Sequence, residues 1–503
     1  MKAVKSQKAG AKDFRNPEKC ERYAGRTKTE EAVCKELLRL GSVRSNARTT
    51  PNWKVETSRS GACTSLFSFV ELTCRSNCKM SSKSDTSLAL ATGIAIGILA
   101  PPLIRRLYSA ITSRLAASSG GEEEDTTHAV RAGLSSSSSV RIEQSKLDAF
   151  LADVLVSAGC STKHAQRVAS VLTFADARGI PSHGCNRLDT YLNEIEAGLV
   201  DGKADPVVSR TSGCCAVVDG RNGLGAVTSE LAMKTAIKLA KEHGVSVVVC
   251  HSSNHYGAAG YWAKMALDEG YMAMSFTNTS PFAVPTGARG VRAVGTNPFC
   301  FFAPAADGDN FQLDMATTVV PIGKIEVMHR INKPVPSGWG VDRNGENCTD
   351  SEEICKVGGL YPLGGGEETA GYKGYGLGVF VEIMSSVLSG AAVGPDVQSW
   401  SVTRDGAINY GHCFMVIDPK RYSPGFEERM GDYLGKMRDL PGNVMVAGDP
   451  EKKFEKDADE NGVLLHESVA TTMKSLASRF SVAVPPEFKA LDASKSKDSL
   501  YSS

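Results

Sequence analysis

The chain has 503 residues, a formal net charge of +1 and a hydrophobic share of 42%. So small a charge offers no electrostatic footing for nucleic acid or an acidic partner, while the apolar share suffices for a sizeable core in roughly two to four domains. The 14 cysteines are scattered, with no Cys/His quartet at zinc spacing, so free thiols and no metal are expected.

The first 79 residues hold 17 Lys/Arg against 8 Asp/Glu and little periodicity beyond a short helical pattern at 30–40; they read as a basic, disordered extension. Residues 88–104 form an uncharged, mostly apolar run followed by Arg105, Arg106 and Arg114. About 17 residues is the short limit for a membrane helix, and Pro101-Pro102 breaks its end. The run reads as a membrane anchor, a cleaved targeting segment or a loosely packed surface helix. As an anchor it leaves the folded body facing the cytoplasm, with the outer mitochondrial membrane or the reticulum as destination. The basic residues ahead of it would then have to cross, a conflict that Met80 as the native start removes. Residues 116–140, with Ser-Ser-Gly-Gly, an acidic block and a serine run, read as a linker.

The folded body starts near Ile142. Helices are expected over 144–158, ended by Gly159, and from the cap Ser161 to Ala177, ended by Gly179. A further helix carries Ser182, His183, Arg187 and Tyr191, where i, i+4, i+8 spacing lines one face. A cation, an imidazole and a phenol on one face suit an anionic substrate; a solvated face with a snorkelling Arg is the plainer alternative. Ala216–Gly220 reads as a strand, and Gly223-Leu224-Gly225 opens a helix over 226–242. The order is not GxGxxG, and no acidic residue ends a strand about 20 residues on, so the standard dinucleotide fingerprint is rejected.

The centre of the chain is Val245–Cys250, a buried strand, followed by His251-Ser-Ser-Asn254-His255-Tyr256-Gly257 and a helix to Leu267. Two histidines are thus expected in a polar loop between strand and helix, a frequent address for chemistry. Short strands follow at 272–276, 300–303 and 311–317, with Gly/Pro-rich polar ends of the kind that build a cofactor pocket. A glycine-rich stretch around Lys373 invites close approach of an anion but lacks P-loop order. A helix over 379–388, a strand over 410–417, helices over 424–438 and 466–480, and a polar tail over 489–503 complete the chain.

Six stretches occur together and in one order: Ser182-His183-Gly184 with Arg187 and Tyr191; Asn254-His255-Tyr256-Gly257; Gly295-Thr296-Asn297-Pro298; Asp314-Met315-Ala316-Thr317; Gly338-Trp339 with Asp342; and Lys373-Gly374-Tyr375-Gly376-Leu377. In these, residues 142–485 resemble the type 2 malate/L-lactate dehydrogenase family of NAD(P)-dependent oxidoreductases. That resemblance implies an α/β, α+β-like fold whose cofactor domain, about 205–420, is non-Rossmann with a largely antiparallel sheet, beside a helical N- and C-terminal portion. It also implies a homodimer, NAD or NADP as cofactor and a 2-hydroxy or 2-oxo acid as substrate. His255 matches the family's catalytic acid/base, Arg187 would pair with the substrate carboxylate, and His183, Tyr191 and Ser182 would orient or relay. Thr279, Thr296, Asn297, Asp314, Met315, Lys373 and Gly374 fall on the cofactor side. Reduction of a cyclic imino acid is the alternative, since an imine could use the same Arg and His. A Ser182–His183 hydrolase is disfavoured, because there is no GxSxG elbow and adjacent residues rarely present Oγ to the imidazole.

Overall fold

The computed structural model describes residues 139–330, 333–398 and 406–491. The expectations for residues 1–79, 88–104 and 116–138, and for the tail past 491, lie outside the described residues. Among the described residues no helix is long and apolar enough to cross a membrane.

The chain opens with β1 (Ser139–Ile142), α1 (Gln144–Ser157), α2 (Thr162–Ala177) and α3 (Leu188–Glu196). β2 (Val207–Ser212), β3 (Cys215–Asp219), α4 (Gly225–His243), β4 (Val245–Ser253) and α5 (Ala259–Leu267) follow. Next come β5 (Met272–Thr277), β6 (Phe299–Pro304), β7 (Asn310–Met315) and α6 (Ile322–Arg330). A small sheet of β8 (Gly340–Val341), β9 (Asn347–Cys348) and β10 (Gly359–Leu360) includes α7 (Ser351–Lys356) between its last two strands. The remainder is α8 (Gly371–Glu382), β11 (Tyr410–Ile417), α9 (Phe426–Arg438), α10 (Asp449–Asn461), β12 (Val463–His466) and α11 (Glu467–Arg479).

Seven strands form the main sheet in the order β2-β3-β4-β11-β5-β6-β7. Only β3 and β4 run parallel; every other neighbour is antiparallel. A doubly wound dinucleotide fold needs a mostly parallel sheet with a switch point, so this is the non-Rossmann α/β architecture the resemblance implied. The period of two along the strands divides its core. Val248, Phe414 and Phe302 face α4 and α5 and pack with Ala236, Ala240, Trp262 and Ala266, while Val249, Cys413 and Phe276 face the other way onto Val381 of α8. Burial on both faces is why Val245–Cys250 reads as an unbroken apolar run. β1 pairs antiparallel with β12, Val140 opposite Leu465, and α1, α2 and α11 pack around that ribbon.

Local signals place the helix ends well. Ser161 caps α2 by accepting the His164 N–H at 3.3 Å, and Gly244 closes α4 at φ 85° in the left-handed region glycine adopts freely.

Two expectations need correction, and two stretches take a form the sequence left open. His251 is not in the loop: β4 runs on to Ser253, and His251 sits opposite Asp219 of β3. His183, Arg187 and Tyr191 are not on one helix. Two short 3₁₀ turns, Pro181–His183 and Cys185–Arg187, precede α3, and the chain breaks at Gly184 (φ −90°, ψ −147°). There the Asp176 carboxylate accepts the Cys185 N–H at 2.7 Å and fills the space a Cβ on residue 184 would need, 2.0 Å away. The glycine stretch around Lys373 forms the first two turns of α8. Finally, α10 is nearly silent in the sequence: DPEKKFEKDADEN is almost all polar, and its apolar stripe is only the i, i+4 pair Phe454 and Ala458.

Candidate active site

The glycines that resembled a dinucleotide loop do a different job. A Cβ on Gly225 would lie 2.1 Å from the Asn254 carbonyl oxygen and 2.4 Å from that of His255. Glycine therefore lets the start of α4 run directly under the loop that carries His255. Above that loop, the fully buried Trp262 donates its indole N–H to the Tyr256 carbonyl at 3.1 Å. The His255 backbone is held from both sides, by β4 and α5 and by the glycine-lined start of α4.

His255, His183, Ser182 and Arg187 line one cleft of about 340 Å³. The imidazoles of His183 and His255 stack with centroids 5.7 Å apart. His255 Nδ1 is 2.6 Å from Tyr191 Oη and receives the Gly257 N–H at 3.3 Å. A backbone N–H only donates, so Nδ1 is an acceptor, Tyr191 donates to it and the ring proton sits on Nε2. Burial, and then the charges of His183, Arg187 and His412, hold His255 well below the ordinary imidazole pKa. Burial and Arg187 likewise bring His183 down to about 4. Both rings are neutral at neutral pH.

Ser182 Oγ lies 2.9 Å from His183 Nδ1, so the 3₁₀ turn presents the hydroxyl to the neighbouring ring after all, which corrects the steric part of the case against a hydrolase. The guanidinium of Arg187 donates from Nε to the Ser182 carbonyl at 2.7 Å and from Nη2 to Glu326 at 3.2 Å. Both members of that ion pair are under a tenth exposed. Glu326 belongs to α6, which also brings Gly323 and Lys324 to the cleft. No spacing in the sequence marks a pair 139 residues apart.

The cofactor-side candidates divide. Thr279, Thr296, Asp314 and Met315 line the cleft, and the Thr279 hydroxyl accepts the Thr296 N–H at 2.9 Å. Asp314 is also bonded to the fold: it accepts the Gly260 N–H at 2.7 Å at the start of α5, and burial raises its carboxyl to about 6. Asn297 is fully buried behind the cleft, donating to Glu382 at 2.6 Å and to the Gly378 carbonyl at 3.0 Å while its Oδ1 takes the Thr279 N–H; it positions Thr279. Lys373 and Gly374 are not among the cleft-lining residues. Lys373 is exposed, and Gly374 lets α8 lie against the Leu363 backbone, whose carbonyl oxygen a Cβ would approach to 2.1 Å. Among the described residues no group of His, Cys, Asp and Glu could hold a metal ion.

A cleft of this volume lies within the ~300–1,000 Å³ span of small-molecule sites. Its hydroxyl donors, Thr279, Ser280 and Thr296, and its apolar wall of Pro298 and Met315 fit a nicotinamide ring beside a small acid. Two imidazoles and a guanidinium at the other end fit a carboxylate and a proton in transit.

Residues 142–474 match the family model described as malate/L-lactate dehydrogenase. The chain is 42% identical over 303 residues to the malate dehydrogenase of Pyrococcus horikoshii, covering 59% of this chain and 82% of that one. It is 30% identical over 344 residues to the delta(1)-pyrroline-2-carboxylate/delta(1)-piperideine-2-carboxylate reductase of Pseudomonas putida, covering 68% and 98%. Among solved structures, the malate dehydrogenase of Entamoeba histolytica aligns with a TM-score of 0.66 at 31% identity, over 69% of this chain and 99% of that one.

Proposed function

The chain belongs to the malate/L-lactate dehydrogenase family, and from that premise we propose that the cleft interconverts a malate-like 2-hydroxy acid and its 2-oxo acid, with His255 as the acid/base. The protein is a hydroxy-acid dehydrogenase that works with NAD or NADP. The observation that carries the assignment of roles is the convergence of Arg187, His183 and His255 on one cleft from turns and loops far apart in the chain.

When bound, the dinucleotide takes or supplies the hydride at its nicotinamide ring. Arg187 anchors the substrate carboxylate through charge-assisted hydrogen bonds, with Glu326 and the Ser182 carbonyl fixing the plane of its guanidinium. His255 holds the substrate oxygen at Nε2 and donates that proton in reduction; in oxidation the ring acts from its opposite neutral tautomer, with Nε2 unprotonated and free to receive the hydroxyl proton. Tyr191, bonded to Nδ1, sets the ring's tautomer. Ser182 orients the His183 ring beside it. Thr279 and Thr296 face the cofactor, and Asn297 holds Thr279 in place from behind.

The test is turnover by the purified chain, followed by nicotinamide absorbance with NADH or NADPH against 2-oxo acids and cyclic imines. Reduction of a 2-oxo acid supports this reading. Similarity to the Pseudomonas reductase favours a second one, which turnover of imines alone would select. No turnover on either panel, with no dinucleotide binding, would sink both.

A homodimer is the second part of the proposal. Tyr372, Phe380, Ile383 and Val387 leave large apolar side chains exposed along α8 and the turn after it, Val387 at 58%. A run of exposed apolar groups on a rigid helix favours burial against another copy. Ile383→Glu combined with Val387→Glu is expected to halve the particle mass measured by light scattering; an unchanged mass would place the contact elsewhere.

A further inference from the structure

Besides the main cleft, His255 also lines a second cavity of about 10 Å³, shared with Tyr191, Glu194 and Asn254 and walled by Val168 and Leu224. About 10–15 Å³ is the room one water needs, provided two to four polar groups surround it. Asn254 shows that such a molecule is called for. Its amide nitrogen donates to the Gly223 carbonyl at 2.8 Å, which fixes the orientation of the amide, and its Oδ1 is buried with no hydrogen-bond partner. A buried acceptor without a donor costs stability, and a water removes that cost. Glu194 follows Tyr191 by three residues on α3, so the two share a face. Glu194 is a buried carboxyl group at 8% exposure. No step described so far uses it.

We propose that Glu194 is the outer end of a proton relay running from His255 Nδ1 through Tyr191 Oη and one water seated on Asn254 Oδ1. This rests on the dehydrogenase reading above. The hydrogen-bond pattern is already the one reduction needs. As hydride reaches the substrate carbon, the substrate oxygen takes the Nε2 proton. Nδ1 then takes the phenolic proton of Tyr191, the phenolic oxygen takes one from the water, and the water takes one from the Glu194 carboxylic acid. The imidazole ends neutral in its other tautomer and Glu194 ends as a carboxylate, reprotonated from solvent. Oxidation runs the same transfers backwards. An imidazolium is never required, which matters in a buried site already facing the Arg187 guanidinium. Glu194 is a positioning and relay residue; it does not touch the substrate.

The test compares wild type with Glu194→Gln, which keeps shape and hydrogen bonding but carries no acidic proton, and with Glu194→Asp. Glu194→Gln is expected to lower kcat roughly 10-fold with KM and dinucleotide affinity unchanged. Its rate against the fraction of D2O becomes linear where wild type is curved, and Glu194→Asp recovers part of both. Wild-type kcat and curvature in Glu194→Gln would overturn the relay while leaving the dehydrogenase reading intact. A fall in kcat with unchanged curvature, or with KM rising and melting temperature falling alike in Gln and Asp, would reduce Glu194 to a packing role. An inactive wild type would fail the reading and the relay together.

Discussion

His255→Ala lowers kcat by about 10²–10⁴-fold, the usual worth of a positioned acid/base, and leaves dinucleotide binding close to wild type. The ring's bonds to Tyr191 Oη and the Gly257 N–H belong to the site and not to the sheet or helix ladders, so the fold is expected to tolerate its loss better than the chemistry does. Burial and the charges around it keep His255 neutral well below its ordinary pKa of 6.5. The oxidation rate therefore falls on the acid side only at a pH under that value, since oxidation needs the neutral ring. Steady-state kinetics of wild type and variant with a turned-over 2-oxo acid check the first point; the pH profile of the reverse reaction checks the second. Retention of more than a tenth of the wild-type kcat would move the acid/base role away from His255.

Arg187→Met has two separable effects. The substrate loses its carboxylate anchor: charge-assisted hydrogen bonds contribute about 1.5–3 kcal/mol each, so kcat/KM falls by about 10²-fold or more. Glu326 loses its partner while it remains buried, and breaking a buried ion pair from one side costs about 3–5 kcal/mol, read as a lower melting temperature. Adding Glu326→Gln neutralises the stranded carboxylate. The double variant is expected to recover much of the melting temperature and none of the kcat/KM. Recovery of both would make Arg187 a structural residue. Arg187 is also one of the charges that depress His255, so its removal raises that pKa and shifts the acid limb of the oxidation profile to higher pH, in the direction opposite to the effect of burial.

Much of the site was legible because its parts are short and local. Asn254-His255-Tyr256-Gly257 follows a β-branched apolar run short enough to read as one buried strand, and Ser161, Gly159 and Gly244 mark helix ends by their own conformational preferences. What misled was shape within those parts. His183, Arg187 and Tyr191 carry helical spacing, yet Gly184 and the Asp176 carboxylate break the helix into turns, and the three side chains converge on His255 by a different route. The glycines at 220–225 and 371–378 signal close approach correctly, but what approaches is backbone of this same chain, at Asn254 and Leu363.

The sequence by itself determined the family and the alternation of strands and helices, and it singled out the histidine and arginine proposed for the chemistry, because each is encoded in neighbouring residues whose periodicity or chemistry is local. Only the tertiary structure decided that the Rossmann-like glycines seat the His255 loop, that Arg187 is held by Glu326, and that Asn254 and Glu194 line a second cavity with His255. These depend on which side chains share a few ångströms after segments distant in the chain have packed. Burial then sets the price of every unpaired charge and hydrogen bond there, and no pattern along the chain records it.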